Sequence, residues 1–229
     1  MSSINCKNCA LANLCLPFSL NENELETLGQ YIIRHNHIKR EEALYRKGDT
    51  FNLLYAVRSG AFKSTLHQHE REQVTGFYLP GEMFGFDGIH GKVYTTNMIA
   101  ITESSVCEIS FDNLLTASQK IPSLQQQVYS IMSQEIVTDI RANLHQPAEI
   151  KLLHFFMQLS ERFKRRKLSP TQFELPMPRQ DIANYLGLAN ETVSRLLTKL
   201  QDDGVIKLNK REVELVSLEE INKALAFVG

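Results

Sequence analysis

The spacing of apolar residues changes at Pro122, and this change constrains the fold more than any other feature of the chain. Before it, from Ile38 to about Ile109, short apolar runs are separated by turn residues at intervals of roughly 8–12 residues, as in an antiparallel sandwich or roll. After it, apolar residues recur at helical spacing. The sequence therefore predicts an α+β fold, with a β-roll (jelly roll) first and helices after it.

Composition sets the size and class of the protein. The 229 residues, 43% of them hydrophobic, suffice for one large or two modest domains. No apolar run is long enough to span a membrane, and the N-terminus lacks the basic start and apolar core of a secretory signal. We therefore expect a cytoplasmic protein without membrane contact, in a compartment where disulfides are rare.

A long helix is predicted directly after the roll, because residues 123 to about 144 contain neither Gly nor Pro. Its apolar stripe consists of Leu124, Val128, Ile131, Met132, Ile136, Ile140 and Leu144. Such a stripe belongs either to the core of its own subunit or to a seam between two helices, and we favour the seam. Shorter helices are predicted at residues 21–33 and 149–167, from the same helical spacing.

Residues 179–200, RQDIANYLGLANETVSRLLTKL, have the pattern of a helix-turn-helix. Ala183 is the small residue that the second helix requires, and Gly187 stands at the turn, where a positive φ is needed. Asn190 is expected to cap the second helix. The apolar residues expected to hold the two helices together are Ile182, Leu186, Leu188, Val193 and Leu196.

The outward face of the second helix has side chains that read DNA bases. Arg195 is able to donate two hydrogen bonds to guanine, Glu191 to accept from cytosine, and Ser194 to do either. The alternative is an ordinary helical hairpin with a solvated polar face. Residues 205–208 and 213–216 are predicted to form a wing hairpin, whose tip has Lys210 and Arg211 for the phosphate backbone. We therefore predict that double-stranded DNA is the partner.

The overall charge of −1 does not by itself indicate a DNA-binding protein. The charge is unevenly divided, however: residues 1–147 have a net charge of −3 and residues 148–229 a net charge of +2. Specific DNA recognition would then depend on base contacts more than on long-range attraction.

Three of the four cysteines, Cys6, Cys9 and Cys15, form a C-x2-C-x5-C cluster, and Cys107 stands alone about ninety residues further on. Four thiolates without a nearby His favour a [4Fe–4S] cluster, while a zinc site and unligated or redox thiols remain alternatives. An enzyme with a catalytic cluster or thiol is another alternative. Against it, the seven His are dispersed and no Ser/His/Asp or Cys/His set is recognisable.

Together these features resemble the CRP/FNR family of bacterial transcription regulators over nearly the whole chain. The motifs that carry the resemblance are LYRKGD at 44–49, LLYAVRSG at 53–60, GFD at 85–87, ETVSR at 191–195, LCLPF at 14–18 and the four cysteines. The resemblance is to the FNR branch. It implies a cluster-binding segment (1–20), a cyclic-nucleotide-binding-like sensory roll (21–121), a dimerisation helix (122–146) and a winged helix-turn-helix domain (147–229).

The resemblance also implies a function that is not enzymatic. Cys6, Cys9, Cys15 and Cys107 would hold a [4Fe–4S] cluster, and the chain would be an oxygen-responsive activator or repressor. It would recognise palindromic TTGAT-like sites through Glu191, Ser194 and Arg195, and contact RNA polymerase through loops around residues 81–87. The residues implied for the homodimer interface are Val128, Ile131, Met132, Glu135, Ile136, Asp139 and Ile140, with the two acidic side chains weakening the dimer.

Two alternatives for the signal stay within the family resemblance: sensing of nitric oxide or iron–sulfur status, and a zinc-stabilised regulator that senses nothing. A cyclic nucleotide is not expected, because no Arg follows Gly81-Glu82 up to Asn97 to bind its phosphate.

Overall fold

The structure is a computed structural model that describes residues 6–18, 20–68, 71–142 and 146–226. The chain divides into two compact units, one ending at Thr138 and the other beginning at Asp139. Each unit is described by itself.

The first unit is built on two four-stranded antiparallel sheets. Its strands are β1 (Ile32–Ile38), β2 (Ala43–Tyr45), β3 (Leu53–Ser59), β4 (Phe62–Gln68), β5 (Arg71–Tyr78), β6 (Met83–Phe84), β7 (Asn97–Ala100) and β8 (Ser104–Ser110). One sheet has the order β1-β8-β3-β6 and the other β2-β7-β4-β5. The predicted β-roll is confirmed.

Aromatic side chains occupy much of the core of the roll. Tyr45 stacks on Tyr94 with ring centroids 3.7 Å apart, and Tyr55, Phe62 and Tyr78 surround Phe84 at 5.3–5.4 Å. These rings are largely buried, and Phe62 and Phe84 are completely so. Each ring removes a large apolar area from water, and the roll interior is consequently closely filled by the protein's own side chains.

The first unit contains the helices α1 (Glu22–Gly29) and α2 (Phe111–Lys120) and most of α3 (Pro122–Ala142), whose last residues belong to the second unit. A reciprocal capping box between Asn21 and Glu24 starts α1. The predicted helix over 21–33 was too long, because Ile32 and Ile33 belong to β1 and pair with β8. Their apolar character satisfies a helical stripe and a strand equally well, and tertiary pairing decides between the two.

The long helix is present as α3, and part of its apolar stripe faces the roll of its own subunit. Leu124 is fully buried in the roll core, and Val128, Ile131 and Met132 are half-buried against it. Ile136 is 58% exposed. Asp139 and Ile140 lie on α3 by backbone, but their side chains are outside what the structure describes, as is the whole of Leu144.

The second unit contains four helices and a small sheet. The helices are α4 (Ala148–Arg165), α5 (Arg179–Leu186), α6 (Asn190–Asp202) and α7 (Leu218–Ala226), and the strands are β9 (Gln172–Glu174), β10 (Ile206–Asn209) and β11 (Glu212–Leu215). The sheet order β10-β11-β9 places the predicted wing hairpin beside the short strand before α5. The winged helix-turn-helix is therefore confirmed.

Two details of the second unit differ from the sequence predictions. Asn190 is the first residue of α6 and not its cap; Ala189 occupies the cap position and makes no side-chain capping bond. The helix α7 was not predicted. Its Ile221 is fully buried. Within the described ranges, no helix is both long and apolar enough to cross a membrane.

Candidate cysteine and DNA-binding sites

The four cysteines, distant in sequence, line a single recess at the surface of the roll. Cys6 starts a short 3₁₀ turn, Cys9 follows that turn, Cys15 follows a second one at Ala12–Leu14, and Cys107 lies in β8. The remaining walls are mainly apolar: Leu11, Ala12, Leu16, Pro17, Ile32, Ala56, Val57, Arg58, Gly81, Met83, Glu108 and Ile109. Folding therefore brings together the four residues that the resemblance grouped.

Tight packing holds the cysteine-bearing segment against the roll. Leu16 is almost fully buried, and a Cβ added to Gly81, whose φ is 90°, would lie 2.7 Å from the Cβ of Leu14. Only glycine permits this approach. At the other end of the segment, the Lys7 ammonium donates to the Glu22 carboxylate at 2.8 Å, which joins the segment to α1.

Burial makes the thiols of Cys6, Cys15 and Cys107 weak acids. It is the main cause that raises the pKa of Cys6 to about 11 and that of Cys15 to about 12, and the neighbouring cysteines add to both shifts. The pKa of Cys107 is raised as well, first by burial and then by Cys9. The thiols of Cys6, Cys15 and Cys107 are consequently protonated at neutral pH and unsuited to nucleophilic chemistry, and a metal that binds them must displace protons.

The cysteines do not converge on one point. Among the described residues, no three or more His, Cys, Asp or Glu side chains are close enough together to hold a metal ion. A single zinc ion needs four ligand atoms at bonding distance from one centre. In a [4Fe–4S] cluster the four thiolates are distributed around a larger group. The donor set of four thiols around one apolar recess fits such a cluster.

The recognition surface lies on the first turns of α6. Gly187 adopts a φ of 66° at the turn, and Ala183 is buried beneath it, as the motif requires. Glu191, Ser194 and Arg195 are all exposed on the same side of α6, while Val193 is fully buried. The three predicted reading residues are thus free to meet a major groove together.

Two further contacts hold this domain together. Lys199 of α6 forms a 2.6 Å ion pair with Glu149 of α4, and Lys207 pairs with Glu214 across the wing hairpin. Lys210, with a φ of 56°, forms the tip of the wing. The wing therefore presents a basic side chain at its end.

The predicted dimer face of α3 is only partly exposed. Glu135 accepts a 2.9 Å hydrogen bond from the buried Tyr78 hydroxyl, which ties α3 to β5 of the same subunit. Ile136 is exposed, and so are Tyr129 and Val137, at 60% and 43%. Tyr129 and Val137 are not part of the predicted interface, because they lie off the main apolar stripe.

Comparison with known proteins agrees with this architecture. A cyclic nucleotide-binding domain model matches residues 35–120, and a Crp-like helix-turn-helix domain model matches residues 150–224. The transcriptional activator protein FnrA of Stutzerimonas stutzeri is 41% identical over 216 residues, which are 93% of this chain and 88% of that protein. The fumarate and nitrate reduction regulatory protein of Escherichia coli is 41% identical over 228 residues, 98% of this chain and 90% of that one.

The chain belongs to the FNR branch of the CRP/FNR family. It is a transcription regulator whose second unit is a DNA-binding helix-turn-helix domain. Among solved structures, FixK2 from Bradyrhizobium japonicum matches with a TM-score of 0.74 at 24% identity, over 84% of this chain and 95% of that one. This likeness is one of fold.

In this member of the CRP/FNR family, the loop proposed for RNA polymerase has an acidic residue with a structural role. The Asp87 carboxylate accepts hydrogen bonds from the backbone and hydroxyl groups of both Thr95 and Thr96, at 2.9–3.0 Å. These four bonds fix the loop between β6 and β7. Asp87 therefore shapes this surface, and its carboxylate is already engaged.

Proposed function

We propose that this regulator senses oxygen through a [4Fe–4S] cluster held by Cys6, Cys9, Cys15 and Cys107. The observation that carries the proposal is that these thiols, far apart in sequence, line one mainly apolar recess. When bound, the cluster would supply an oxygen-sensitive link between the N-terminal segment and β8. Of the described residues, four cysteines and no histidine line the recess, and a donor set of four thiols supports a [4Fe–4S] cluster.

Two sets of contacts lead from the cysteine segment to α3. On one side, Lys7 pairs with Glu22 of α1, and Glu24 on the same helix accepts a 3.5 Å hydrogen bond from Ser123 of α3. We propose that ordering of the segment positions α1 and, through it, the start of the long helix.

The second set of contacts passes through the loop after β5. Leu14 packs against Gly81, and Tyr78, just before this loop, donates to Glu135 of α3. Displacement of the segment would therefore disturb α3 both at Ser123, near its start, and at Glu135. Such a displacement changes dimerisation only if the chain dimerises with a different affinity when the segment is ordered than when it is displaced.

The exposed side of α3 is proposed to pair with a second copy of the chain. Ile136, Tyr129 and Val137 are its most exposed apolar residues, and Val128, Ile131 and Met132 are only half-buried in one subunit. Glu135 and Asp139 would bring like charges near the twofold axis and keep the dimer weak. Pairing presents two α6 helices to half-sites about one helical turn apart, on a TTGAT-like palindrome in the cytoplasm.

The other parts of the proposal concern the effector and the transcription machinery. Tyr45 stacks on Tyr94 and lies at a tilt against Phe84, and the filling of the roll by these rings supports an effector other than a cyclic nucleotide. RNA polymerase would contact loops of the roll around residues 81–87, which Asp87 holds in place.

The ligand assignment is tested by Cys107→Ser. We expect the variant, purified without air, to lose the visible absorption, iron and sulfide of the wild-type protein, because one of four sulfur ligands is missing. Ser105→Ala, two positions away on β8, is the control and should retain all three. An intact cluster in Cys107→Ser would remove this residue from the ligand set.

A further inference from the structure

Two arginines flank Cys107 on the strands next to β8. In the sheet register Arg34 of β1 lies directly opposite Cys107, and Ala56 of β3 lies opposite it on the other side. Directly paired residues project from the same face of a sheet, and so do residues two apart on one strand. Arg34 therefore shares the face of Cys107, and Arg58, which lies at a register shift in β3, lines the same recess as Cys107.

The Arg34 side chain has a buried donor without an acceptor. The Nε of Arg34 is buried and makes no hydrogen bond. Among the described residues it is the one buried side-chain nitrogen or oxygen without a hydrogen-bond partner. A buried donor left unpaired costs about 1–3 kcal/mol. Such atoms are rare in folded proteins and need an explanation. One explanation is an acceptor that the protein itself does not supply.

The charges of both arginines reach the Cys107 sulfur. Arg34 is paired with Cys107 in the sheet, Arg58 lines the recess beside it, and both are near enough for their charges to act on its sulfur. The two guanidinium groups therefore stabilise negative charge on this sulfur.

We propose that Arg34, assisted by Arg58, is a positioning residue for the cluster, whose Nε–H donates to the Cys107 thiolate once the recess holds a cluster. This inference rests on the proposed function. Bound iron would make Cys107 a thiolate, and the Nε–H would then gain the acceptor that it lacks. Hydrogen bonds and positive charge at the sulfur ligands favour the reduced form of an iron–sulfur cluster, and partners of metal ligands also strengthen binding.

The test compares four proteins purified without air: wild type, Arg34→Met, Arg34→Lys and the control Arg40→Met. Arg40 lies just beyond β1, and its side chain is largely exposed. Iron and sulfide content is measured first, then the reduction potential of the cluster, its rate of loss at a fixed oxygen concentration, and urea unfolding of each protein.

We expect Arg34→Met to lower the reduction potential and to lose its cluster about tenfold faster than wild type. Arg34→Lys keeps the charge but not the Nε–H, so its reduction potential and rate of cluster loss should lie between those of wild type and Arg34→Met. Arg40→Met should match wild type in both measurements. If Arg34→Met does not fold, the Lys variant alone decides.

The inference is overturned if the Arg34 variants have the wild-type reduction potential and rate of cluster loss. A change in urea unfolding alone, with both of these values unchanged, would overturn it as well. A wild-type protein that contains no iron or sulfide would overturn the proposed function and this inference together. A wild-type cluster with unaffected Arg34 variants would overturn the inference alone.

Discussion

Gly48 and Gly81 have nearly the same backbone conformation, with φ of 92° and 90°, but different surroundings. A Cβ on Gly81 would collide with Leu14 of the cysteine segment, whereas a Cβ on Gly48 would have no atom within 4 Å. At the scale of single residues, this difference separates the cost of backbone strain from the cost of displacing the segment.

Gly81→Ala and Gly48→Ala are therefore a matched pair. Both should lose about 1–3 kcal/mol of stability from backbone strain, as measured by urea unfolding. Only Gly81→Ala should also lower the iron and sulfide content after anaerobic purification, because it pushes Leu14 and the neighbouring cysteines outward. Equal iron and sulfide content in the two variants would show that cluster binding does not depend on the packing of Leu14 against Gly81.

Arg195 is expected to contribute sequence discrimination. Arg195→Ala should lose about 1–3 kcal/mol of preference at one base pair of the half-site, because a bidentate contact to a base is removed. Binding to half-site variants measures this preference. Lys210→Ala, at the wing tip, should instead weaken binding to all sequences alike. A uniform loss for Arg195→Ala would make it a phosphate contact.

Buried tyrosines make the roll sensitive to alkaline pH. Burial is the main cause that raises the pKa of Tyr45, Tyr55 and Tyr78. Above about pH 10 the unfolded chain loses these protons while the folded chain keeps them, so the free energy of unfolding falls as pH rises. Each retained proton steepens this decline by up to about 1.4 kcal/mol per pH unit.

Urea unfolding between pH 8.5 and 11 measures the decline. Tyr45→Phe should decline less steeply than wild type, whereas Tyr129→Phe, on the exposed side of α3, should decline as wild type does. The same slope in Tyr45→Phe and wild type would mean that Tyr45 does not contribute.

At the scale of elements, α3 is joined to the roll by its buried residues and by the Tyr78–Glu135 hydrogen bond. Glu135→Gln removes the charge but keeps an oxygen that accepts this bond. If Glu135 opposes its mate across the dimer axis, the variant should dimerise about fivefold to tenfold more tightly.

Sedimentation at several protein concentrations measures the dimer affinity, and Glu26→Gln, on the exposed side of α1, is the control. An unchanged affinity in Glu135→Gln would place this carboxylate away from the dimer axis.

Elements with a strong local pattern were predictable from the sequence, and elements decided by tertiary pairing were not. The helix-turn-helix depends on Ala183 and Gly187 at fixed spacing, so its position could be predicted. By contrast, Ile32 and Ile33 suit a helix or a strand, and only their pairing with β8 places them in β1. The split of the α3 stripe between core and surface likewise depends on how the roll packs against it.

At the scale of the whole molecule, the cysteine site shows the same limit. Three cysteines form a local motif, but their spacing to Cys107 left a cluster, a zinc site and unligated thiols open, and the family resemblance then favoured the cluster. Arg34 was not predicted at all, because its position opposite Cys107 depends on the register of β1 and β8. A net charge of −1 is compatible with a DNA-binding protein, because sequence specificity is here assigned to base contacts and to the pairing of two subunits.

The central claim is that an oxygen-sensitive cluster on these four cysteines controls dimerisation and DNA binding. The most direct test is anaerobic purification of the full chain, with iron, sulfide and zinc analysis and sedimentation on palindromic DNA before and after exposure to air. We predict about four iron and four sulfide per chain, negligible zinc, and a DNA-bound dimer that dissociates in air. Stoichiometric zinc, or dimerisation and DNA binding that air does not affect, would contradict the account.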